Sequence, residues 1–395
     1  MGGEPIQTDP SARDVIFAFF GVSWGAAMSR GMFTEDRFAT ALLTHRRVRR
    51  LIVSEPYRSY AGRIRSRVGP WREARFPTAP GRALYAPVRL ARSDPLDPRP
   101  AVVDYVAGLR RKADALGMRR PAVISSHPFL AGFGELGWAG PVTYYGWDDW
   151  LASEPHRTWW PVYEDAFAGM RARGVRVCGV TPAIVDRVAP TGPSLVVPNG
   201  VEPDEWESPG APPTWLSVLP RPHFVYAGSL DSRVDVGRIA AVADAFPDGT
   251  VIVVGPMLDP DHFDQLGARA NVTIRPPEGR GPITGLISAA DVCLIPHVDN
   301  SMTRAMSPLK LYEYLSAGRP VAATALPPIA AAAAGARVVL ADADDDFALA
   351  ARRALELGPA SEAERRRFIE RNSWAGRFDD VLDFALAPRA GDTDD

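Results

Sequence analysis

Short runs of consecutive hydrophobic residues recur along the whole chain, and segments with the spacing of amphipathic helices separate them. The runs are DVIFAFFG, VRRLIVSEP, PAVISSHP, PVTYYGW, VRVCGVT and SLVVPNG, followed by HFVYAGS, TVIVVGP, NVTIRPP, DVCLIP, PVAAT and ARVVLAD. Continuous rather than alternating hydrophobicity is typical of parallel strands that helices cover on both faces. The pattern therefore predicts an α/β protein with two Rossmann-like halves.

A proline-rich segment with little periodicity, VEPDEWESPGAPPTWLSVLPRP, separates the two halves. It predicts an interdomain linker within residues 200–222. We accordingly expect an N-terminal domain at 1–199, a C-terminal domain at 223–370, and a closing helix with an acidic tail at 371–395. Ligands of such folds bind at the carboxyl ends of the strands, so we expect the substrate in a cleft between the domains.

The composition limits the compartment and the chemistry. The chain of 395 residues has no apolar run long enough to span a membrane and no signal-peptide pattern, so we expect a soluble, cytoplasmic protein. Cys178 and Cys293 are the only cysteines, and each lies in an apolar run, which predicts buried free thiols. The six histidines form no cluster with the spacing of metal ligands, and we predict neither a metal site nor a cofactor.

Charge is unevenly distributed, although the formal net charge is only −2. Thirteen arginines but only two acidic residues lie between Arg46 and Arg92. A nucleic-acid site would also need a groove with stacking aromatic residues, and we predict none. The excess of arginine in residues 46–92 instead predicts peripheral contact with a membrane. Lys112 and Lys310 are the only lysines, a bias that GC-rich coding explains more simply than function does.

The segment SPLKLYEYLSAGRPVAAT, residues 307–324, predicts a short helix between two buried strands. Ser307 suits the N-cap and Pro308 the first helical position. Gly318 suits the position after the C-cap, where a left-handed backbone conformation ends many helices. The limits of this helix are therefore readable from its own residues.

The same helix carries residues suited to a nucleotide. The amides of Ser307 to Leu309 and the positive end of the helix dipole favour a phosphate, and a bound phosphate would stabilise Lys310. Glu313 lies on the same face one turn later, where its carboxylate can accept two vicinal ribose hydroxyls. The alternative interpretation is a surface helix with one Lys–Glu pair.

This segment, with AADVCLIPHVDNSMT before it, resembles the donor-site signature of GT-B glycosyltransferases of the large retaining type, which includes bacterial polysaccharide and teichuronic-acid transferases. The resemblance extends over most of the chain through SLVVPNGVEPDEW, FVYAGSLDSRVDVGRIAAVADAFPDGTVIVVGP and RNSWAGRFDDVL. It implies two Rossmann-like domains that face each other across a cleft and a C-terminal helix that returns toward the first domain. It also implies hexosyltransferase-like transfer, with retention, from a nucleoside diphosphate sugar to a small-molecule, glycan or lipid-linked acceptor.

The resemblance assigns nucleotide-sugar binding to two loops that follow strands. Gly21 lies in the turn after the first strand, where the backbone can approach the donor closely. Gly228 and Ser229 begin the loop after the first strand of the second half, and Arg233 is the nearest match for the cation that binds the donor phosphates. The alternatives are a tight turn without a ligand at Gly21 and a salt bridge between Arg233 and an aspartate of its own loop.

Two residues that follow strands of the first half are candidate catalytic groups. The resemblance implies that His127 contacts the transferred sugar, and a structural turn residue is the alternative. Asp148 and Asp149 lie between Trp147 and Trp150, and aromatic rings with carboxylates suit a sugar acceptor. We favour Asp148 for this role, with aromatic core packing and an Asp148 helix cap as the alternative. The adjacent aspartates do not form the separated pair of metal-dependent transferases, so we expect activity without a metal.

One position departs from the family pattern. Many members carry a second glutamate upstream of the position of Glu313, and in this chain that position is Ala305. Contact with the donor sugar must then come from other groups, such as Asn300, Ser301, Thr303 or backbone amides. The loop of Arg233 also lacks a second basic residue, for which Arg238 is a candidate substitute. These departures leave the sugar, and to a lesser degree the retaining outcome, open.

Two other functions fit a GT-B fold. A nucleotide-sugar epimerase would need acid and base groups around the sugar, and the chain offers few. A non-catalytic partner subunit would keep the fold without turnover, and Ala305 is the observation that favours it. Transfer requires an acceptor, epimerisation does not, and a non-catalytic subunit shows neither.

Overall fold

The computed structural model describes residues 9–19, 23–30, 34–60, 74–89, 96–342 and 346–388. The chain forms two compact units. Unit 1 comprises Met1–Pro198 and Phe378–Asp395, and unit 2 comprises Asn199–Arg377.

Unit 1 contains a seven-stranded sheet in which all neighbouring strands are parallel. The strands of this unit are β1 (Arg13–Ala18), β2 (Val48–Ser54), β3 (Arg58–Ser59), β4 (Arg82–Tyr85), β5 (Val88–Arg89), β6 (Ala122–Ser125), β7 (Val142–Gly146), β8 (Arg176–Gly179) and β9 (Ser194–Val196). The order in the large sheet is β4-β2-β1-β6-β7-β8-β9, and β3 pairs with β5 separately.

The described helices of unit 1 connect these strands. They are α1 (Trp24–Arg30), α2 (Thr34–Thr44), α3 (Arg99–Ala115), α4 (Pro128–Phe133), α5 (Trp160–Ala172) and α6 (Pro182–Val188), with a 3₁₀ helix at Glu154–Trp159. In the centre of the sheet, Ile16 pairs in register with Ile52 on one side and Val123 on the other. All three side chains are fully buried, as continuous apolar strands require.

Unit 2 contains a six-stranded parallel sheet of order β12-β11-β10-β13-β14-β15. Its strands are β10 (His223–Ala227), β11 (Thr250–Val254), β12 (Val272–Arg275), β13 (Val292–Ile295), β14 (Val321–Thr324) and β15 (Val338–Ala341). Its helices are α7 (Pro203–Glu207), α8 (Val236–Ala245), α9 (Pro260–Phe263), α10 (Arg280–Ala289), α11 (Ser301–Ala305), α12 (Leu309–Ser316), α13 (Pro327–Ala333), α14 (Phe347–Leu357) and α15 (Glu362–Arg371), with 3₁₀ helices at Thr214–Val218 and Asp264–Leu266.

The sheet of unit 2 is buried on both faces. Along β10, Phe224 and Tyr226 belong to one core cluster, whereas Val225 and Ala227 belong to another. Alternate residues of a strand point to opposite faces, so the two clusters lie on opposite sides of the sheet. Each of the twelve hydrophobic runs forms a strand, and the predicted α/β fold with parallel sheets is confirmed.

The segment expected to be a linker, residues 200–222, is instead part of unit 2. It contains α7 and a 3₁₀ helix, and it buries Trp206 and Leu216 in the core cluster that also holds Val225. Two widely spaced anchors produce no periodicity, which explains why the sequence pattern indicated a linker. The closing helix is α16 (Trp374–Leu386), which begins in unit 2 and continues in unit 1.

Candidate functional site

The start of helix α12 differs by one position from the sequence-based expectation. Pro308, and not Ser307, is the N-cap, because its backbone (φ −73°, ψ 113°) lies outside the helical region. Ser307 instead bonds within unit 2: its hydroxyl accepts from the Asn199 N–H at 3.3 Å, and its carbonyl accepts from Asn199 Nδ2 at 2.7 Å. Pro308 has no N–H to offer a ligand, so backbone amides for an anion begin at Leu309.

The end of α12 is as expected. Gly318 follows the C-cap and has a φ of 69°, in the left-handed region that favours glycine. Its N–H donates to the carbonyl of Leu315, and the next N–H, of Arg319, donates to the carbonyl of Tyr314. These two hydrogen bonds provide donors for carbonyls that have no i+4 partner at the end of the helix.

In the sheet of unit 2, strands β10 and β13 separate next to α12 and leave an opening between their carboxyl ends. Strand β10 pairs with β11 over five residue pairs but with β13 over only two, the last at Val225. Beyond that point the hydroxyl of Tyr314 accepts from the Ala227 N–H at 2.8 Å and donates to the Ala227 carbonyl at 3.2 Å. The strand order also reverses between β10 and β13, and ligands of such sheets bind at the carboxyl ends of the strands at this switch point.

Lys310 lies in this opening. Its ammonium donates to the hydroxyl of Tyr226 at 3.0 Å and contacts Nε2 of His297, the second residue after β13, at 3.0 Å. Burial, with a smaller contribution from the charge of Arg233, lowers the pKa of Lys310 to about 7. Burial, with smaller contributions from the charges of Lys310 and Arg233, also lowers the pKa of His297 well below its usual value. The imidazole of His297 is therefore neutral. A neutral imidazole can accept a hydrogen bond from the ammonium.

Gly228 allows the lysine to reach this position. A Cβ atom at Gly228 would lie 3.0 Å from both Cε and Nζ of Lys310 and 3.3 Å from the Tyr226 hydroxyl oxygen. The next residue, Ser229, accepts a hydrogen bond from the Tyr226 hydroxyl through its carbonyl at 2.9 Å. The two loop residues proposed from the sequence therefore lie next to Lys310.

Arg233 forms a salt bridge within its own loop. Nε and Nη2 donate to the two carboxylate oxygens of Asp231 at 2.9 and 2.6 Å, and Nη1 lies 3.7 Å from the sulfur of Met306, two residues before Pro308. Although burial opposes the shift, these hydrogen bonds lower the pKa of Asp231. The structure thus contains the salt bridge that was the alternative interpretation, and it also places the guanidinium near the residues that lead into α12.

Glu313 is held by an arginine of another helix. Arg280, the first residue of α10, contacts Glu313 Oε1 through Nη1 at 2.7 Å and Glu205 Oε2 through Nε and Nη2 at 2.9 and 2.5 Å. The three side chains are each about a quarter exposed, at 25, 25 and 21% for Arg280, Glu205 and Glu313. Burial acts against the charge of Arg280, but the two carboxylates raise its pKa above the usual value.

Three of the side chains considered as substitutes, those of Asn300, Thr303 and Arg238, take part in local structure. Asn300 and Thr303 form a reciprocal capping box at the start of α11, and the Thr303 hydroxyl also donates to the Val298 carbonyl at 2.6 Å. Arg238 donates to the Asp342 carbonyl at 2.9 Å and lies over the ring of Phe347 at 5.3 Å. Arg238 therefore contributes to the fold of unit 2 at the end of β15.

In unit 1, His127 follows β6 and is the N-cap of α4, where Nδ1 accepts from the Phe129 N–H at 3.2 Å. Its ring is buried among Phe129, Trp150 and Tyr163, with centroid distances of 4.5, 5.4 and 6.0 Å. Burial, with a smaller contribution from His156, lowers its pKa well below the usual value. This is the structural turn role that was the alternative, and contact with a sugar stays a prediction.

The two adjacent aspartates of unit 1 lie in different environments. Asp149 is buried, where Oδ2 accepts from Nε and Nη2 of Arg187 at 3.1 and 2.8 Å, and Oδ1 accepts from the Leu151 N–H at 3.1 Å. Asp148 is exposed. The Oδ1 contact of Asp149 stabilises a turn at residues 150–152, and the role of Asp148 toward an acceptor stays a prediction.

Gly21 lies outside the described residues, as do positions 61–73 and 90–92 of the arginine-rich region. Within that region, Arg49 forms a bidentate pair with buried Asp14 at 2.9 and 3.0 Å, and Arg82 donates to four backbone carbonyls. These arginines stabilise unit 1, and contact with a membrane stays a prediction.

Two features are absent from the described part of the chain. In that part, no helix is both long and apolar enough to cross a membrane. The same residues contain no group of three or more His, Cys, Asp or Glu side chains able to hold a metal ion. Cys178 and Cys293 are buried free thiols, as predicted.

No protein-family model matches the chain. Solved glycosyltransferases have the same architecture over nearly the whole length. An α,α-trehalose-phosphate synthase (UDP-forming) of Burkholderia xenovorans, crystallised with glucose-6-phosphate, has a TM-score of 0.65 at 14% identity and covers 95% of this chain and 100% of its own. The chain has the GT-B fold.

Two further comparisons indicate the same class. HepE of Anabaena, crystallised with UDP and glucose, has a TM-score of 0.58 at 15% identity and covers 94% of this chain and 98% of its own. TuaH of Bacillus subtilis, named for glycosyl transfer in teichuronic acid biosynthesis, is 29% identical over 135 residues, which are 33% of this chain and 34% of that protein. The matched region thus spans about a third of TuaH. The resemblance to GT-B glycosyltransferases is confirmed.

Three residues of the candidate site were missed from the sequence: Tyr226, His297 and Arg280. His297 is the first titratable residue after an apolar strand run, which is a usable signal once the strand order is known. Tyr226 is itself one of the buried residues of the β10 run, so the sequence gives no signal that distinguishes it from its neighbours. Arg280 lies between two glycines in EGRGP, a pattern that marks a helix start but not its partners.

Proposed function

We propose that this protein transfers a sugar from a UDP-sugar to a hydroxyl-bearing acceptor. The observation that carries the proposal is the cluster of Lys310, Tyr226 and His297 around Gly228, at the opening of the sheet and beside the start of α12. A partly buried ammonium next to a helix start favours an anion such as a diphosphate. HepE, which has this fold and was crystallised with UDP and glucose, supports UDP as the nucleotide.

Each side chain has a separate role in binding the donor. Lys310 and the backbone amides at the start of α12 bind the diphosphate, and Arg233 adds a second cation while Asp231 fixes its orientation. Glu313 accepts the ribose hydroxyls. Its contact with Arg280 uses one oxygen, and a carboxylate has enough acceptor sites to bind a ligand as well.

These groups suit the departure of a nucleoside diphosphate. The bond between the anomeric carbon and the β-phosphate oxygen breaks, and its electron pair stays on the phosphate, where Lys310 and Arg233 stabilise the charge. The acceptor oxygen forms the new bond to the anomeric carbon, and its proton passes to the departing phosphate. We propose that the configuration is retained and that these fixed cations replace a metal ion.

For unit 1 we propose contacts with sugar hydroxyls at the carboxyl edge of its sheet, through His127 and Asp148. Both residues follow neighbouring strands, β6 and β7, whose carboxyl ends lie at the same edge. Aromatic rings near His127, such as that of Trp150 at 5.4 Å, suit the apolar face of a sugar.

The experiment measures UDP release and product mass with a panel of UDP-sugars and hydroxyl-bearing acceptors. We expect UDP release that depends on an acceptor and falls at least about tenfold in Lys310→Met, since a charge-assisted contact to the leaving group is lost. Lys112→Met, which removes the chain's other lysine, is the matched control. Conversion of the UDP-sugar without acceptor would indicate an epimerase, and no turnover with any pair would favour a non-catalytic subunit.

A further inference from the structure

The segment that the sequence assigned to a linker supplies a side chain to the neighbourhood of the nucleotide site. Glu205 lies on α7, Arg280 begins α10 and Glu313 lies on α12, so three separate helices of unit 2 meet at one guanidinium. We call Glu205, Arg280 and Glu313 the carboxylate clamp.

The segment that follows α7 packs closely on α10, the helix that begins with Arg280. A Cβ atom at Gly210 would lie 2.4 Å from the carbonyl oxygen of Gly281, and one at Gly285 would lie 2.4 Å from the carbonyl oxygen of Gly210. The Gly210 N–H also donates to the Thr284 hydroxyl at 3.1 Å. Neither glycine could carry a side chain without displacing the opposite backbone, so glycine at both positions allows the segment after α7 to pack directly on α10.

Glu205 fixes the orientation of the guanidinium. Two nitrogens of Arg280, Nε and Nη2, point to one oxygen of Glu205, and the planar group lies over the buried ring of Trp206 at 5.5 Å. Because the guanidinium fork is rigid, these contacts determine where Nη1 lies. Nη1 contacts Oε1 of Glu313 at 2.7 Å and thereby restrains the rotation of that carboxylate.

The charges of the clamp leave Glu313 able to bind a ligand. One cation is shared between two carboxylates, so the clamp carries a formal charge of −1 and Arg280 does not neutralise Glu313 fully. If Glu205 were neutral, Arg280 would interact more strongly with Glu313 and would compete with ligand hydroxyls for its oxygens.

We propose that Arg280, oriented by Glu205, is a positioning residue that holds Glu313 for two ribose hydroxyls and makes the site selective for ribonucleotides over deoxyribonucleotides. This inference rests on the proposed function, because it takes the nucleoside diphosphate to be the ligand at Glu313. Neither Glu205 nor Arg280 needs to touch the ligand. Both act through the geometry and charge of Glu313.

The experiment compares the dissociation constants of UDP and 2′-deoxy-UDP by calorimetry. In the unmodified protein, UDP should bind about 10- to 150-fold more tightly, the effect of one hydrogen bond to a charged group. In Arg280→Met and in Glu205→Gln this preference should fall below about threefold, while the affinity for 2′-deoxy-UDP stays within about threefold.

Arg269→Met is the matched control. Arg269 forms a bidentate pair with Asp244 at 2.8 and 2.9 Å and is 28% exposed, which is similar to Arg280. This variant should keep the full preference for UDP. Thermal unfolding of every variant, with and without UDP, identifies a protein that has failed to fold, and Glu205→Gln retains the side-chain shape if Arg280→Met is unstable.

The outcomes distinguish a failure of the proposed donor from a failure of the proposed role of the clamp. If the unmodified protein does not bind UDP, the proposed donor and this inference both fail. If it binds UDP and the Arg280 and Glu205 variants retain its preference over 2′-deoxy-UDP, the clamp is structural and only the inference fails. An equal loss of affinity for UDP and 2′-deoxy-UDP in these variants would likewise mean that the clamp is structural and that only the inference fails.

Discussion

The affinity for a nucleoside diphosphate should fall steeply between pH 7 and pH 9, because Lys310 must be protonated to bind a phosphate. The pKa of Lys310 is about 7 in the unliganded protein. A diphosphate within a few ångströms raises the pKa of an ammonium by about 1–3 units, so binding takes up a proton.

The magnitude follows from the protonated fraction. Between pH 7 and pH 9 this fraction falls in the free protein from about a half to about one in a hundred, and the apparent dissociation constant is the intrinsic value divided by that fraction. If the ligand raises the pKa by two to three units, the dissociation constant rises about 25- to 50-fold, or about 1.9 to 2.3 kcal/mol.

Other groups that face the ammonium do not titrate in this range. Burial raises the pKa of Tyr226 and lowers that of His297, the hydrogen bonds from Arg233 lower the pKa of Asp231, and Arg233 itself stays charged. The change in affinity therefore reports on Lys310. Stability should change in the opposite direction: the unfolded chain binds the proton up to about pH 10.5, so the free energy of unfolding rises from pH 7 to that value.

Calorimetry with UDP at pH 7, 8 and 9, in buffers of different ionisation enthalpy, measures both the affinity and the protons taken up. We expect an uptake close to one proton per site at pH 8. Lys310→Met should bind more weakly at pH 7 and lose the pH dependence, and Lys112→Met should behave as the unmodified protein. A change below about threefold between pH 7 and 9, or an equal change in Lys310→Met, would refute the reasoning.

Three further predictions concern separate parts of the structure. Glu313→Gln should weaken UDP binding by about 1.5–3 kcal/mol with little change in thermal stability, and an unchanged dissociation constant would exclude the ribose contact. Trp206→Ala should lower the free energy of unfolding by about 3–5 kcal/mol in a denaturant titration, because the ring is only 1% exposed; a loss below about 1 kcal/mol would mean that α7 is not part of the core. Turnover in excess EDTA should stay within about twofold of turnover with Mg²⁺, since fixed cations supply the positive field, and rescue by Mg²⁺ after chelation would contradict it.

Twelve of the thirteen strands of the two large sheets were predictable because continuous apolar runs mark buried parallel strands. The exception is β4, an edge strand that is only partly buried and whose sequence RALY is not a continuous apolar run. Strands β3 and β5 were not predictable either, since two residues such as Arg58–Ser59 carry no pattern. The segment around Trp206 was mistaken for a linker because isolated anchors in a proline-rich stretch do not repeat with any period.

From the residues alone the site was predictable only where one helix carries it, and the family resemblance supplied Gly228, Ser229 and Arg233. Lys310 and Glu313 share a face of α12, so their spacing alone placed them together. Their partners His297 and Arg280 come from other elements, and their proximity depends on strand order and on packing between helices. The helix start was displaced by one residue because Pro308 adopts an extended backbone that Ser307 was expected to provide.

Tyr314 and Lys310 attach helix α12 to the end of strand β10 at two points one helical turn apart. The Tyr314 hydroxyl serves both the N–H and the carbonyl of Ala227, and the ammonium bonds to the neighbouring Tyr226. For protein engineering, the strand end and the helix consequently form a single module. A chimaera that exchanges α12 alone for a helix without this tyrosine would leave two backbone groups of Ala227 without the partners that they have here. An exchange that includes residues 223–229 with 307–318 would preserve these contacts and transfer Tyr226, Lys310 and Glu313 together.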